Sequence, residues 1–190
     1  GLIAAFSFQE WVKSDARVAL QALNHMGVRV ALLSGDASRS VEHVAARLDL
    51  TTGLRLVRGA CSAQDKLTAV QDWQSQGRHV AMVGDGINDA PVLASADASF
   101  AFTQGDALAQ VKADFLLLGP QLMSVPRTLA HAAKTMRIVK QNLAWAIVYN
   151  LICIPLALSG WLTPWLAGLG MALSSLLVLA NAARLSVTED

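Results

Sequence analysis

Eight consecutive residues, Gly84-Asp85-Gly86-Ile87-Asn88-Asp89-Ala90-Pro91, place two glycines, two carboxylates, an amide and a proline directly after the apolar run 79–83 (HVAMV). Such a stretch is poor structural filler. Gly84 and Gly86 let the backbone approach an anion, and free N–H groups at such a turn can hold phosphate. A carboxylate beside a phosphate is repelled unless a cation lies between them. Asp85 and Asp89, with Asn88, therefore point to Mg²⁺, an ion that takes oxygen ligands and pairs carboxylates with phosphates. A second acidic turn, Ser34-Gly35-Asp36, closes the apolar run 28–33 (VRVALL), and Lys66 supplies positive charge. Taken singly, the SGD turn is a common one and Lys66 an ordinary solvated helix residue. The weight rests on the eight-residue run.

Short strands must deliver these turns. Runs 28–33 and 79–83 are the clearest candidates, with weaker ones at 99–102 and 115–118. Helical patterns fill the intervals at 13–25, 38–48, 63–75 and 88–95, and Gly27 and Gly77 stand where helix C-caps belong. Strand alternating with helix predicts an α/β domain with an open, mostly parallel, Rossmann-like sheet. Ligands of such sheets bind beyond the carboxyl ends of the strands, where both acidic turns fall.

The chain has 190 residues, 54% hydrophobic and 15% charged, with net charge +1. An ordinary soluble domain is roughly 25% charged. Only Arg184 among the 15 Lys and Arg, and only Glu189 and Asp190 among the 14 Asp and Glu, follow Lys140. Residues 141–183 contain no Asp, Glu, Lys, Arg or His. This excludes a disordered or wholly soluble chain, and no basic patch supports nucleic-acid binding. As one helix the stretch would run about 65 Å, roughly twice a bilayer core. Two spans, 141–159 and 163–183, fit instead, around a Gly/Pro turn (SGWLTP). Trp161 and Trp165 suit an interfacial belt. Lys134, Arg137, Lys140 and Arg184 place both ends of the hairpin in the cytosol by the positive-inside rule. The predicted layout is a soluble domain over 1–125, a helical stalk over 126–140, two transmembrane helices within 141–185 and a cytosolic tail at 186–190. Cys61 and Cys153 make no disulfide framework, and a reducing cytosol suits the soluble part.

Polar groups inside the spans are costly in hydrocarbon and tend to line a pathway. They are Tyr149 and Asn150 in the first span, and Met171, Ser174, Ser175 and Asn181 in the second. Met171 and Ser175 share a helix face. A thioether is a soft ligand suited to Cu(I). The plain alternatives are packing for Met171, interhelical hydrogen bonding for the Ser and Asn residues and a small core residue for Cys153.

Together, GDGINDAP, the upstream Asp65-Lys66 pair and the SGD turn resemble the phosphorylation domain of P-type ATPases, within the haloacid-dehalogenase-like superfamily. Ser34 stands where that family usually has Thr, and 96–102 (ADASFAF) replaces a more Gly-rich segment. The resemblance implies that Ser34 and Gly35 bind a phosphoryl group and Lys66 neutralises it. It further implies that Asp85 binds Mg²⁺, that Asn88 and Asp89 complete the phosphate and metal network, and that Asp36 lies near the nucleotide. Tyr149-Asn150 with Met171-x-x-Ser174-Ser175 resembles the last two spans of the copper-transporting P1B heavy-metal subclass. There Tyr149, Asn150, Met171 and Ser175 would contribute to Cu⁺ sites, with a Cys-Pro-Cys span that this chain lacks. The TPWLA and GM patches resemble the subgroup that supplies copper for cytochrome oxidase assembly.

The family's nucleophile lies in a DKTGT motif, absent from this sequence, and the chain opens on Gly1 with no signal peptide. The expectation is the C-terminal part of a pump that moves Cu⁺ with ATP and Mg²⁺ through an aspartyl phosphate, and is inactive alone. Its expected place is the bacterial inner membrane as a multi-pass protein, with its soluble domain cytoplasmic. Copper, membrane lipid and a copper chaperone or acceptor are its expected partners, and nucleic acid is not among them. Competing readings are a membrane-anchored phosphatase of the same superfamily, a non-enzymatic metal-binding membrane module and a pump for zinc or cadmium.

Overall fold

The computed structural model describes residues 12–48 and 54–185, and the tail expected at 186–190 lies outside the described residues. The chain divides into two units, Gly1–Arg127 and Thr128–Asp190. In the first, α1 (Ala16–His25), α2 (Ser38–Leu48), α3 (Ala63–Ser75), α4 (Ala90–Ser95) and α5 (Ala107–Lys112) alternate with β1 (Val30–Leu33), β2 (Leu54–Arg58), β3 (Ala81–Gly84), β4 (Ala98–Phe102) and β5 (Phe115–Leu117). All pairings are parallel: β1 with β2, and β3–β4–β5 as a second set. The expected parallel α/β architecture is therefore present.

The apolar face of α1 packs Ala16 and Leu20 with Ala45 and Leu48 of α2, over Val30, Leu32 and Val57 of β1 and β2. Around β4, Val70, Val92, Leu93, Phe100 and Ala101 are almost fully buried. Phe100 stacks on Phe115 at 5.0 Å. Buried Ser99 is satisfied by Asp114, whose Oδ2 accepts from the Ser99 N–H at 2.9 Å and its hydroxyl at 2.8 Å. The bulky 99–102 segment is thus core. Gly27 and Gly77 end α1 and α3 at φ +76° and +75°, as a left-handed C-cap requires.

The strand β2 and the helix α5 have no counterpart among the expected elements, and one expected element is corrected. The helix expected at 88–95 begins as a 3₁₀ turn, Ile87–Asp89, and becomes α-helical only at Ala90, because Pro91 is best placed in the first helical turn. The stalk expected at 126–140 and the first span expected at 141–159 fall within one unbroken helix, α6 (Ser124–Leu158), of 35 residues. Its partner α7 (Pro164–Ala183) follows a turn in which Gly160 takes φ +76°. Both helices are long and apolar enough to cross a membrane.

Candidate functional site

The carboxyl end of β3 is shaped by close approach. Asp89 folds back over it, so that a Cβ on Gly84 would lie 2.9 Å from Asp89 Cβ. Gly86 faces the same carboxylate at 3.8 Å. Asp89 Oδ1 meets Lys66 Nζ at 2.7 Å, with the side chains only 14% and 12% exposed. Partial exclusion of water strengthens such a pair and makes loss of either partner costly. Lys66 is aimed by the first turn of α3, which Ser62 and Asp65 close with a capping box. The Ser62 hydroxyl donates to Asp65 Oδ2 at 2.6 Å and accepts from the Asp65 N–H at 3.1 Å. The Ser62 N–H donates to the same carboxylate at 2.8 Å. The Ser62 hydroxyl, then its N–H, hold the Asp65 carboxyl below its usual range. The Asp65-Lys66 pair therefore divides its work: one residue starts the helix and the other serves the site.

The turn after β1 is bound to the same helix start. Ser34 N–H extends the ladder to the Arg58 carbonyl at 3.0 Å, and Cys61 N–H donates to the Ser34 carbonyl at 2.9 Å. Ala60, at φ +53°, donates its N–H to the Asp36 carbonyl at 2.6 Å. Ser34 Oγ donates to Asp36 Oδ2 at 2.7 Å and accepts from Asp36 N–H at 3.2 Å. Gly59 leaves no room for a side chain, since a Cβ there would meet Ser38 Cα at 2.5 Å. A continuous path thus runs from Ser34 through Cys61 and the first turn of α3 to Lys66, Asp89 and Gly84.

Asp85 and Asn88 are exposed at the open side of this turn. Asp85 is positioned through its backbone: its carbonyl accepts from Asp106 N–H at 2.7 Å. A Cβ on Gly105 would lie 2.7 Å from that carbonyl. Among the described residues, no three His, Cys, Asp or Glu side chains converge as a metal cage. Mg²⁺ does not require one; it is held by one or two carboxylates with phosphate oxygens and water. An exposed Asp85 carboxylate beside a lysine-neutralised Asp89 fits that donor set.

In the second unit, α6 and α7 meet through polar and small residues. Asn181 Nδ2 donates to Asn142 Oδ1 at 2.8 Å and Gln141 Oε1 at 3.2 Å, and Trp145 Nε1 donates to Ser174 Oγ at 3.1 Å. A Cβ on Gly170 would lie 3.1 Å from the Tyr149 hydroxyl. Tyr149 therefore sits against α7 one residue from Met171. Met171 is 64% exposed. Asn150 and Ser175 are exposed too. The Ser175 hydroxyl donates to the Met171 carbonyl of its own helix at 2.9 Å. Thus the structure brings together Lys66, Asp89, Gly84 and Gly86, joins Ser34, Gly35 and Asp36 to them through α3, and puts Tyr149 beside the Met171 turn. Sequence reasoning missed Gly59, Gly105 and the Trp145–Ser174 bond. Their only sequence signals are a glycine beside an acidic or strand-end residue and a Trp within an apolar run.

The sequence pattern of haloacid dehalogenase-like hydrolases matches residues 3–97. Over 185 residues the chain is 41% identical to a copper-exporting P-type ATPase of Staphylococcus haemolyticus and 40% identical to one of Staphylococcus aureus. Each match takes in 97% of this chain and 22% of the relative, so the chain spans about a fifth of those proteins. Among solved structures, a zinc-transporting PIB-type ATPase in the E2.Pi state superposes with TM-score 0.85 at 33% identity, covering 93% of this chain and 28% of that one.

Proposed function

The chain belongs to the haloacid dehalogenase-like hydrolases, and from that premise we propose that it is a portion of an ATP-driven exporter of monovalent copper, working through an aspartyl phosphate. The observation that carries this reading is the path from Ser34 through α3 to the Lys66–Asp89 pair. It ties a hydroxyl and a fixed ammonium together at the carboxyl ends of β1 and β3, and a transferring phosphoryl group needs such preset dipoles and charge. Ser34 and Gly35 hold the phosphoryl oxygens, Lys66 offsets their charge, and Asp89 keeps Lys66 in place. Asp36 orients the Ser34 hydroxyl. Asp85 and Asn88, with the Gly84 and Gly86 backbone, would hold Mg²⁺ and phosphate, and the ion when bound adds positive charge at the transferring group.

The nucleophilic Asp is contributed from outside this sequence, which lacks DKTGT. β1 and β3 are not paired with each other among the described residues. Each ends in a site turn, so a strand set between them would deliver a nucleophile to both. Copper is cargo: Met171 offers a soft sulfur, and Tyr149, Asn150 and Ser175 flank it. We place the whole protein in a bacterial inner membrane with the first unit cytoplasmic, and assign it a copper chaperone or acceptor as partner. The oxidase-assembly subgroup rests on the TPWLA and GM patches. The stalk at 126–140 lies within the continuous α6, which suits transmission of rotation.

One observation favours a second metal: the structural match to a zinc-transporting PIB-type ATPase. Zn²⁺ accepts nitrogen, oxygen and thiolate ligands, and a thioether is better matched to Cu(I). Metal-stimulated ATP hydrolysis by the whole protein decides between them. Activation by Cu⁺ and not Zn²⁺ is expected, and the reverse order would overturn the copper reading. The isolated 190-residue chain should hydrolyse no ATP. Mg²⁺-dependent hydrolysis by it would favour the phosphatase reading.

A further inference from the structure

No acidic residue occurs between Asp114 and Glu189, while Arg127, Lys134, Arg137, Lys140 and Arg184 do. The boundary between the charged part of α6 and its apolar part is therefore cationic without compensation. Arg137 and Lys140 are exposed, and no ion pair involves them among the described residues. On the same face Ala133, Met136, Arg137, Lys140, Gln141 and Ala144 line an open recess of about 590 Å³. Arg137, Lys140 and Gln141 occupy its middle, where the 43-residue apolar stretch begins, with Ala133 and Met136 before them and Ala144 beyond, on the apolar side.

A second feature gives the recess its chemistry. Asn181 Nδ2 occupies the acceptors of Gln141 and Asn142, and Asn181 Oδ1 accepts from Arg184 Nη1 at 3.1 Å. Side-chain acceptors at this level are thus turned inward. What the recess keeps are the Gln141 amide donors and the exposed cations of Arg137 and Lys140. Donors and positive charge above, methyl groups below and no carboxylate nearby complement a phosphodiester carrying acyl chains.

We propose that this recess binds the headgroup of an anionic phospholipid, with Arg137 and Lys140 on the phosphate and the acyl chains along the face that includes Ala144. Zwitterionic lipid is discriminated against because its ammonium would meet these cations. Each cation close to a membrane surface is worth roughly fivefold in attraction to anionic lipid. The inference rests on the membrane reading of α6 and α7 but on neither copper nor ATP.

The test uses the full chain in detergent, with phosphatidylglycerol or phosphatidylcholine added and retained lipid counted by native mass spectrometry. The wild type should retain phosphatidylglycerol over phosphatidylcholine by roughly tenfold or more, given two cations. The double variant Arg137→Gln/Lys140→Gln should lose that preference. The double variant Arg29→Gln/Arg78→Gln, with the same change in net charge, should keep it. If the first double variant fails to insert, Arg137→Gln and Lys140→Gln singly should each cost roughly fivefold. Equal retention of both lipids, equal loss in the control variant, or displacement by inorganic phosphate at the lipid's own concentration would overturn the proposal. Carbonate washing separates the two failures. A chain stripped from membranes refutes the spanning helices, whereas an integrated chain without lipid preference refutes only this site.

Discussion

The two units use polar side chains in opposite ways. In the first, each group proposed for phosphate chemistry is supported by a neighbour: Lys66 by Asp89, Ser34 by Asp36, and Asp85 through its carbonyl by Asp106. In the second, the bonded polar groups, Asn142 with Asn181 and Trp145 with Ser174, hold two helices together. Met171, the proposed soft ligand, is exposed, and Ser175 spends its proton on its own helix. A phosphoryl site gains from rigid dipoles set in advance, since reorganising them during reaction costs free energy. A transport site must bind and release, so strong fixed partners for its ligands would be a hindrance.

The contrast predicts its largest effects in the first unit. In the whole protein of which this chain is proposed to be part, Lys66→Ala should lower phosphoenzyme formation by roughly a hundredfold or more, as loss of a transition-state charge clamp does. It would also strand Asp89, only 14% exposed, without its partner. Asp85→Asn should be comparably damaging. Labelling with γ-phosphate-labelled ATP measures both, and near-normal labelling in either variant would return that residue to the status of a solvated surface group.

Met171→Leu tests the other side of the comparison. It preserves apolarity and volume, so packing should change by less than about 1.5 kcal/mol. What it removes is sulfur. The variant should accept phosphate normally and lose copper-stimulated turnover by roughly tenfold. Ser175→Ala should be milder, because the Ser175 hydroxyl is already bonded to the Met171 carbonyl. Undiminished copper stimulation in Met171→Leu would make that residue packing material and leave the metal open.

Two glycines set the next scale down. A methyl at Gly59 would fall 2.5 Å from Ser38 Cα, and one at Gly105 would fall 2.7 Å from the Asp85 carbonyl. Each contact is with backbone, which cannot swing aside. Gly59→Ala and Gly105→Ala should each destabilise the first unit by about 1–3 kcal/mol. Gly105→Ala should also impair Mg²⁺-dependent phosphorylation, because Asp85 must shift. Gly119→Ala, with open space around it, is the matched control. Thermal melts that rank all three alike would refute the close-approach argument.

These glycines mark where the sequence stopped being informative. GDGINDAP is legible because its chemistry is local: eight neighbours carry the phosphate and metal donors themselves. Helices 38–48 and 63–75 emerge at the expected positions because amphipathic spacing and a Ser62–Asp65 cap are local too. Gly59 and Gly105 have no positive φ to betray them; only residues distant in sequence and close in space reveal why nothing larger fits. β2 alternates leucine with arginine (LRLVR), so its hydrophobic run is broken and easily passed over. α5 has six residues, less than two turns, too few to display a period. The charge boundary at Lys140 marks a change of surroundings and not a helix end, since backbone hydrogen bonding is indifferent to where lipid begins, and α6 runs through it unbroken.

The smallest effect separates the units by pH. Ser62 holds Asp65 below its ordinary carboxyl range, and the Val80 N–H, then Gln74, do the same for Asp97. A carboxyl with a depressed folded-state pKa stabilises the fold above its unfolded value and loses that contribution as pH falls through the folded one. The first unit should therefore weaken on the acid side, below about pH 4. Residues 115–188 contain no Asp or Glu, so α6 and α7 have no carboxylate to titrate. Ser62→Ala sharpens the comparison. At neutral pH it removes a helix cap, worth about 1 kcal/mol, together with a donor to Asp65. As Asp65 becomes protonated in both proteins, the carboxylate part of the difference disappears and the gap should narrow. Thermal melts from about pH 7 to about pH 3 give this directly, and amide exchange reports whether α6 and α7 stay protected throughout. A gap that does not change with pH would mean that the Ser62 hydroxyl caps α3 without charging Asp65, and the assigned cause of the depressed carboxyl would fail.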